Sequence, residues 1–313
     1  MRSGITVLVM GLLCWPPGLS AAAGGDTTHE SLLVTTAWLA EHSDDPGLVL
    51  LHVGRKGKYE DGHIPGARFV SLRDLLTESP DGLHHEMPPL SELRAYFESH
   101  GISDDSQIVI YYAEDWGPPY AARAYLSLDY LGLGDRAVML DGGLQQWLAE
   151  DRPVTTEIPA VEMGSITIES RADLFVNADW LEDRLRDPDV VIVDARPGEY
   201  YEGREKENKI ARYGHITGAV SIPITDITLD DPVYRFKDTT TLEILFHEKG
   251  ALPRATVVTY CNTGIWASLV YFTAKHLGYD ARFYDGSFQD WTRDDNRPVI
   301  EPVKKSFLKR LFQ

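Results

Sequence analysis

Cysteine is scarce in this sequence, with Cys14 and Cys261 the two among 313 residues. Cys14 falls in an N-terminal apolar segment expected to be removed, so the mature chain would keep a lone thiol and could close no internal disulfide. Positive charge is also short: 30 Lys and Arg face 48 Asp and Glu, for a formal net charge of −18. That balance provides no basic face for nucleic acid or an anionic membrane. Long apolar runs are missing too. The segment from Ile5 to Trp15 is too short to span a bilayer, so no stable membrane span is expected. With Arg2 before it and Ser20-Ala21-Ala22-Ala23 after it, residues 1–23 read as a signal peptide. The protein is therefore expected to be exported, and periplasmic if bacterial. Histidines lack a second His or Cys at ligand spacing, and neither a metal nor another cofactor is expected.

What the sequence does have is enough apolar material, 43% of residues, for a large core, and it has that material twice. Val34-Thr35-Thr36-Ala37-Trp38-Leu39 recurs as Val176-Asn177-Ala178-Asp179-Trp180-Leu181, each the capped start of a short helix before a buried strand. Gly62-His63-Ile64-Pro65-Gly66-Ala67 recurs as Gly214-His215-Ile216-Thr217-Gly218-Ala219, and Asp141-Gly142-Gly143 as Asp285-Gly286-Ser287. A repeat this long is a duplicated domain rather than a solenoid unit. Strands alternate with helical segments in each copy, which gives an α/β fold: two tandem domains, each a mainly parallel sheet with helices on both faces. The divisions are 1–23 for the signal peptide, 24–155 for the first domain, 156–172 for a linker, 173–303 for the second domain and 304–313 for a C-terminal tail. Ile166-Thr167-Ile168 suggests an extended strand laid across a domain, and residues 203–212 a charged, solvated loop.

The copies part where chemistry would sit. Val257-Val258-Thr259-Tyr260 reads as a strand, Cys261-Asn262-Thr263-Gly264 as a tight loop, and Ile265-Trp266-Ala267 as the start of a helix. The end of a parallel strand before a helix N-terminus collects backbone N–H groups and binds ligands. Those N–H groups are expected to lower the Cys261 pKa and to hold an anionic sulfur, without a histidine base. The first copy has Ala113 there, followed by Glu114-Asp115-Trp116. One site per chain is expected.

Two Gly-His-Ile-x-Gly-Ala segments, Asp194-Ala195-Arg196 with Glu199-Tyr200, the Cys261 loop and Tyr284-Asp285-Gly286-Ser287-Phe288 with Trp291 carry a resemblance. The chain resembles the tandem-domain rhodanese-like sulfurtransferases, the thiosulfate and 3-mercaptopyruvate sulfurtransferases. The resemblance implies an inactive first domain and a catalytic Cys261 that takes a sulfane sulfur from a small anionic donor such as thiosulfate. It implies a persulfide intermediate and a thiophilic acceptor, cyanide or a thiol, including a protein thiol. Tyr120-Ala121-Ala122-Arg123 looks like the family segment whose arginine reaches the donor. Donor-binding candidates are thus Arg123 with Asn262, Thr263, Gly264, Ile265, Trp266 and Ala267. The alternatives are 3-mercaptopyruvate as donor, or an exported carrier loaded at Cys261. A phosphatase of related fold is set aside, because its phosphate-gripping Arg would stand at Ala267.

Other residues take plainer readings. Arg196 is expected in a structural ion pair, His63 and His215 as turn-ordering residues, and His84-His85-Glu86 as a solvated loop. Thr263 is open between its own backbone and a ligand, and Trp266 is expected in the core. Lys304 to Phe312 reads as a terminal helix packed on the domain. Because the duplication already provides a two-domain cleft, a monomer is expected.

Overall fold

The computed structural model describes residues 31–113 and 117–302. The expected signal peptide at 1–23, the loop Glu114-Asp115-Trp116 and the tail at 304–313 lie outside the described residues.

In chain order the first half contains β1 (Leu33–Val34), α1 (Thr36–His42), β2 (Leu48–Gly54), α2 (Lys56–Asp61), β3 (Arg68–Ser71), β4 (Thr77–Glu78), β5 (His84–Glu86), α3 (Leu90–Ser99), β6 (Gln107–Tyr112), α4 (Gly117–Leu131), β7 (Ala137–Leu140) and α5 (Gly143–Ala149). The second contains α6 (Ala178–Glu182), β8 (Val190–Asp194), α7 (Gly198–Tyr201), β9 (His215–Ile216), β10 (Val220–Ser221), α8 (Thr239–Glu248), β11 (Thr256–Tyr260), α9 (Ile265–His276), β12 (Asp280–Phe283), α10 (Ser287–Trp291) and β13 (Val299–Ile300).

The first sheet runs β1-β7-β6-β2-β3 and the second β10-β8-β11-β12, and every neighbour pair within them is parallel. Thus β2, β3, β6 and β7 correspond to β8, β10, β11 and β12. Even the edge is repeated: β1 pairs with β7, and a single bridge from Phe175 to Phe283 stands in its place in the second half. The helix starts also match. Thr35 Oγ1 accepts from the Trp38 N–H at 3.1 Å, and Asn177 Oδ1 from the Trp180 N–H at 2.8 Å, each satisfying an otherwise orphan donor.

Both sheets are covered on both faces, as their β-branched composition requires. In β6, Val109 and Tyr111 face α1 and α5 residues such as Leu39 and Trp147, while Ile108, Ile110 and Tyr112 enter a core shared by the two halves. In β11, Val258 and Tyr260 pack with Leu181 and Trp291, while Val257, and Cys261 just beyond the strand, belong to the shared core. At the centre of that core the equivalent helices α4 and α9 meet, with Tyr125 and Phe272 edge to face at 4.9 Å. Asp129, buried beside them, accepts from the Tyr271 hydroxyl at 2.7 Å and pairs with Arg171 at 3.2 Å and Lys275 at 3.4 Å. Burying that carboxylate is tolerable only because cations and a phenol satisfy it.

Two expectations need correction. The segment from 156 to 172 is extended and lies on the first half, but it is not a strand. Its N–H groups reach side chains and helix-end carbonyls instead of a sheet edge: Ser165 donates to Ser103 Oγ, Ile166 to Glu98 Oε1 and Thr167 to Asp104 Oδ1, while Glu169 and Arg171 donate to the carbonyls of Leu131 and Tyr130. Residues 203–212 are not wholly solvated, since Ile210 is buried and Glu207 turns inward to the site described below.

The histidines of the repeated turns behave as expected. His63 Nδ1 bonds the Tyr59 carbonyl at 2.8 Å and His215 Nδ1 the Tyr201 carbonyl at 2.7 Å, with each ring stacked on the same tyrosine. Among the described residues no helix is long and apolar enough to cross a membrane.

Candidate active site

Cys261 follows the last residue of β11, and three residues later Gly264 opens α9. Gly264 has φ 94°, the left-handed region that a Cβ disfavours, and its N–H points at Cys261 Sγ from 3.1 Å. The chain thereby curls around the sulfur. Behind the loop, the Phe288 N–H donates to the Cys261 carbonyl at 3.0 Å and the Gln289 N–H to the Asn262 carbonyl at 3.1 Å. The Cys261 N–H lies 3.4 Å from Ser287 Oγ. Ser287 itself has φ 52°, where the first copy has Gly143, so a strained serine is kept beside the thiol.

Only 2% of Cys261 is exposed. Burial pushes its thiol above the ordinary value of 9.0, while the N–H groups of Ala267, Thr263, Gly264 and Trp266 pull it down without cancelling the burial. The expectation of a net lowered pKa is thus corrected: the site is drier than a loop at a strand end suggests, and desolvation wins. The same N–H groups favour the sulfur anion once it has formed.

Asn262 is buried and held from two sides. Its Oδ1 accepts from Arg196 Nη1 at 3.3 Å, and its Nδ2 donates to Glu207 Oε1 at 2.6 Å. Arg196 is a structural ion pair as expected, gripping Asp194 with Nε at 2.9 and 3.1 Å and Nη2 at 2.6 Å. Its face lies 4.1 Å from the Phe288 ring centroid. The corresponding first-half residues are His52 and Gly54, so this buried pair occurs only in the copy with the cysteine.

The Thr263 hydroxyl bonds neither its own backbone nor the sulfur. Its Oγ1 is 2.8 Å from Nδ1 of His85, on β5 of the first half. His85 has φ 63°, a left-handed conformation rare for a residue with a Cβ. Its neighbour His84 clamps α10, which backs the loop: His84 N–H donates to Gln289 Oε1 at 3.1 Å, and Gln289 Nε2 donates back to the His84 carbonyl at 2.7 Å. Residues 84–86 are therefore a clasp between the halves, not a solvated loop.

Arg123, expected to reach a donor, is wholly buried and does not line the cavity. Its Nη1 pairs with Asp285 at 3.1 Å, its Nη2 donates to the His85 carbonyl at 2.9 Å, and its guanidinium lies 5.7 Å from the Phe283 ring centroid. The carboxylate of Asp285 claims its charge, and the arginine supports the clasp from beneath.

Above Cys261 opens a cavity of about 480 Å³. Asn262, Thr263, Ile265 and Trp266 line it from the second half, and Leu72, Leu76, His85 and Tyr120 from the first, with Glu207 closing one side. Gly264 and Ala267 do not line it and serve the sulfur through their N–H groups. Trp266 packs partly on the shared core and partly walls the cavity. The arrangement presents one thiol, backbone donors for an anionic sulfur, and room for a small organic molecule.

The comparisons agree with this geometry. The model for the rhodanese-like domain matches residues 35–150 and 177–294. A thiosulfate sulfurtransferase of Azotobacter vinelandii is 34% identical over 271 residues, which are 86% of this chain and 96% of the relative. A probable 3-mercaptopyruvate sulfurtransferase of Pseudomonas aeruginosa is 32% identical over 286 residues, covering 85% of this chain and 97% of the relative. Among solved structures, an anaerobic ergothioneine biosynthesis enzyme from Chlorobium limicola shares the fold, with a TM-score of 0.75 at 23% identity over 87% of this chain and 71% of that one.

Proposed function

Since the chain belongs to the tandem-domain rhodanese-like sulfurtransferases, we propose that it moves a sulfane sulfur from a donor such as thiosulfate to a thiophilic acceptor through a persulfide on Cys261. The observation that supports this most is the cradle itself: a thiol at the end of β11, donors from the loop and helix start around it, and a cavity open to it. In the first half the structural counterpart of Cys261 is Tyr112 rather than the expected Ala113, because the Tyr111 hydroxyl meets the Ile64 N–H as the Tyr260 hydroxyl meets that of Ile216, and this leaves one reaction centre.

In the loading step the Cys261 thiolate attacks the outer sulfur of thiosulfate. The S–S bond of the donor breaks, and sulfite leaves with the electron pair. The loop N–H groups of Thr263, Gly264, Trp266 and Ala267 hold the negative sulfur before and after transfer, in a site dry enough for such donors to count. In the unloading step the acceptor attacks the outer sulfur of the persulfide and Cys261 departs as thiolate. A 3-mercaptopyruvate donor fits the same scheme, with pyruvate enolate as leaving group, and the cavity has room for it.

Asn262 shapes the loop through Arg196 and Glu207, Thr263 through His85, and Ile265 and Trp266 wall the cavity. Arg123 acts through the clasp. The apolar N-terminal segment favours an exported protein, periplasmic in a bacterium. The test of the activity is thiocyanate formation from thiosulfate and cyanide. It is expected in the native protein and absent in Cys261→Ser, and its persistence in that variant would refute the role of Cys261.

A further inference from the structure

We infer that Glu207 makes the cavity over Cys261 selective for an organic acceptor carrying a cationic nitrogen, an aminothiol in chemical class, and disfavours anionic acceptors. The inference rests on the proposed sulfur transfer and adds the chemistry of its second substrate.

Glu207 belongs to the charged insertion that the second copy has and the first lacks. It comes to the cavity wall at the residue next to the thiol, because its Oε1 accepts from Asn262 Nδ2 at 2.6 Å. Among the described residues no donor is recorded on Oε2, so the carboxylate keeps acceptor capacity for a ligand. The cations nearby do not neutralise it at the wall. Arg123 is committed to Asp285 and the His85 carbonyl, and Arg196 to Asp194. Lys209, two residues on, is exposed and does not line the cavity.

His85 lines the cavity but adds no charge at neutral pH. Burial first, then the neighbouring Arg123, hold its imidazole below the usual range. Glu207 is thus the one charged carboxylate or amine side chain among the described lining residues, in a cavity where Leu72, Leu76, Ile265 and Trp266 supply apolar wall and Asn262 and Thr263 neutral polar groups. Tyr120 and Trp266 offer aromatic surface to a cation as well. Cyanide and thiosulfate use little of about 480 Å³, whereas a carbon body with an amine at one end and a thiol at the other uses the apolar wall, the carboxylate and the sulfur together.

The chemistry balances without an oxidant. The acceptor thiolate forms a bond to the outer sulfur of the protonated Cys261 persulfide, and the bond between that sulfur and Cys261 breaks. The product leaves as a hydropersulfide carrying the proton, and Cys261 is left as thiolate.

The test first separates charge selection from turnover. The full chain carrying Cys14→Ser is labelled at Cys261 with 2-aminoethyl methanethiosulfonate, a cation, and with 2-sulfonatoethyl methanethiosulfonate, an anion. Each rate is normalised to that of a free small thiol. A carboxylate at the wall predicts a preference for the cation of about tenfold or more, which Glu207→Gln removes and Glu207→Asp partly keeps. Cysteamine and 3-mercaptopropionate are then compared as acceptors, and the kcat/KM ratio is expected to favour cysteamine and to collapse in the same Gln variant. A labelling ratio unmoved by Glu207→Gln overturns the inference whether or not sulfur is transferred. Absence of any transfer, with the labelling ratio still set by Glu207, refutes the proposed function while supporting the charge selection.

Discussion

Nδ1 of His85 and Oγ1 of Thr263 lie 2.8 Å apart, joining the halves of a duplicated chain across 178 residues of sequence. The first half therefore does more than bury the cavity wall. It fixes the hydroxyl of the second residue after the thiol, from a backbone held at φ 63°. A single hydrogen bond of this kind contributes about 1 kcal/mol. His85→Ala and Thr263→Ala are each expected to lower kcat/KM by about fivefold, and the double variant by no more than the worse single one. Multiplying effects in steady-state kinetics would show that the two residues act separately.

Arg196 and Asp194 form a buried pair that the first half replaces with His52 and Gly54. Removing one partner leaves an uncompensated charge, so Arg196→Ala is expected to cost about 3–5 kcal/mol in urea unfolding. Combining Asp194→His with Arg196→Gly reproduces the first-half arrangement and should recover part of that stability. Sulfur transfer should stay impaired, because Asn262 loses its Arg196 contact. Equal stability of Arg196→Ala and the native chain would contradict the ion-pair account.

His52 is buried in the first half, 3.0 Å from the Tyr111 hydroxyl, and burial together with His63 lowers its pKa to about 3. Between pH 6.5 and about 3 the unfolded chain takes up a proton there that the native state does not. Native stability therefore falls as pH drops through that window, by up to about 2.7 kcal/mol at pH 4.5 from this group. In His52→Gln the loss between pH 7 and pH 4.5 should be smaller by that amount. Parallel urea midpoints for the two proteins would contradict it.

The repeat, the alternation of strands and helices, and the position of Cys261 were legible because buried parallel strands and turn motifs leave local patterns. The turn-ordering backbone bonds of His63 and His215 followed from the Gly-His-Ile motif for the same reason, whereas their stacking on Tyr59 and Tyr201 did not. The far side of the site was not legible. Glu207 looked like one charge in a solvated run, and His85 like a loop histidine, because their partners Asn262 and Thr263 are distant in sequence. For Arg123 the sequence context pointed to a ligand, and it could not show that Asp285 and the His85 carbonyl hold the two terminal nitrogens from beneath the clasp. A weak signal existed for Glu207, since an insertion unique to the cysteine-bearing copy is where site-specific residues are added.

Burial raises the Cys261 thiol above 9.0, so the reactive thiolate is a minor form at neutral pH. The rate of persulfide loading from excess thiosulfate should keep rising with pH past 9.0. A rate that levels off by pH 7 would mean that the loop donors outweigh desolvation.

The most direct test of the account is the mass of Cys261 itself. Protein purified without reductant and treated with thiosulfate, then trapped with an alkylating reagent and digested, should yield the Cys261 peptide with one added sulfur atom. A brief exposure to cyanide before trapping should remove that sulfur. Recovery of the peptide with an unmodified thiol, alongside continuing sulfur transfer, would contradict the persulfide mechanism.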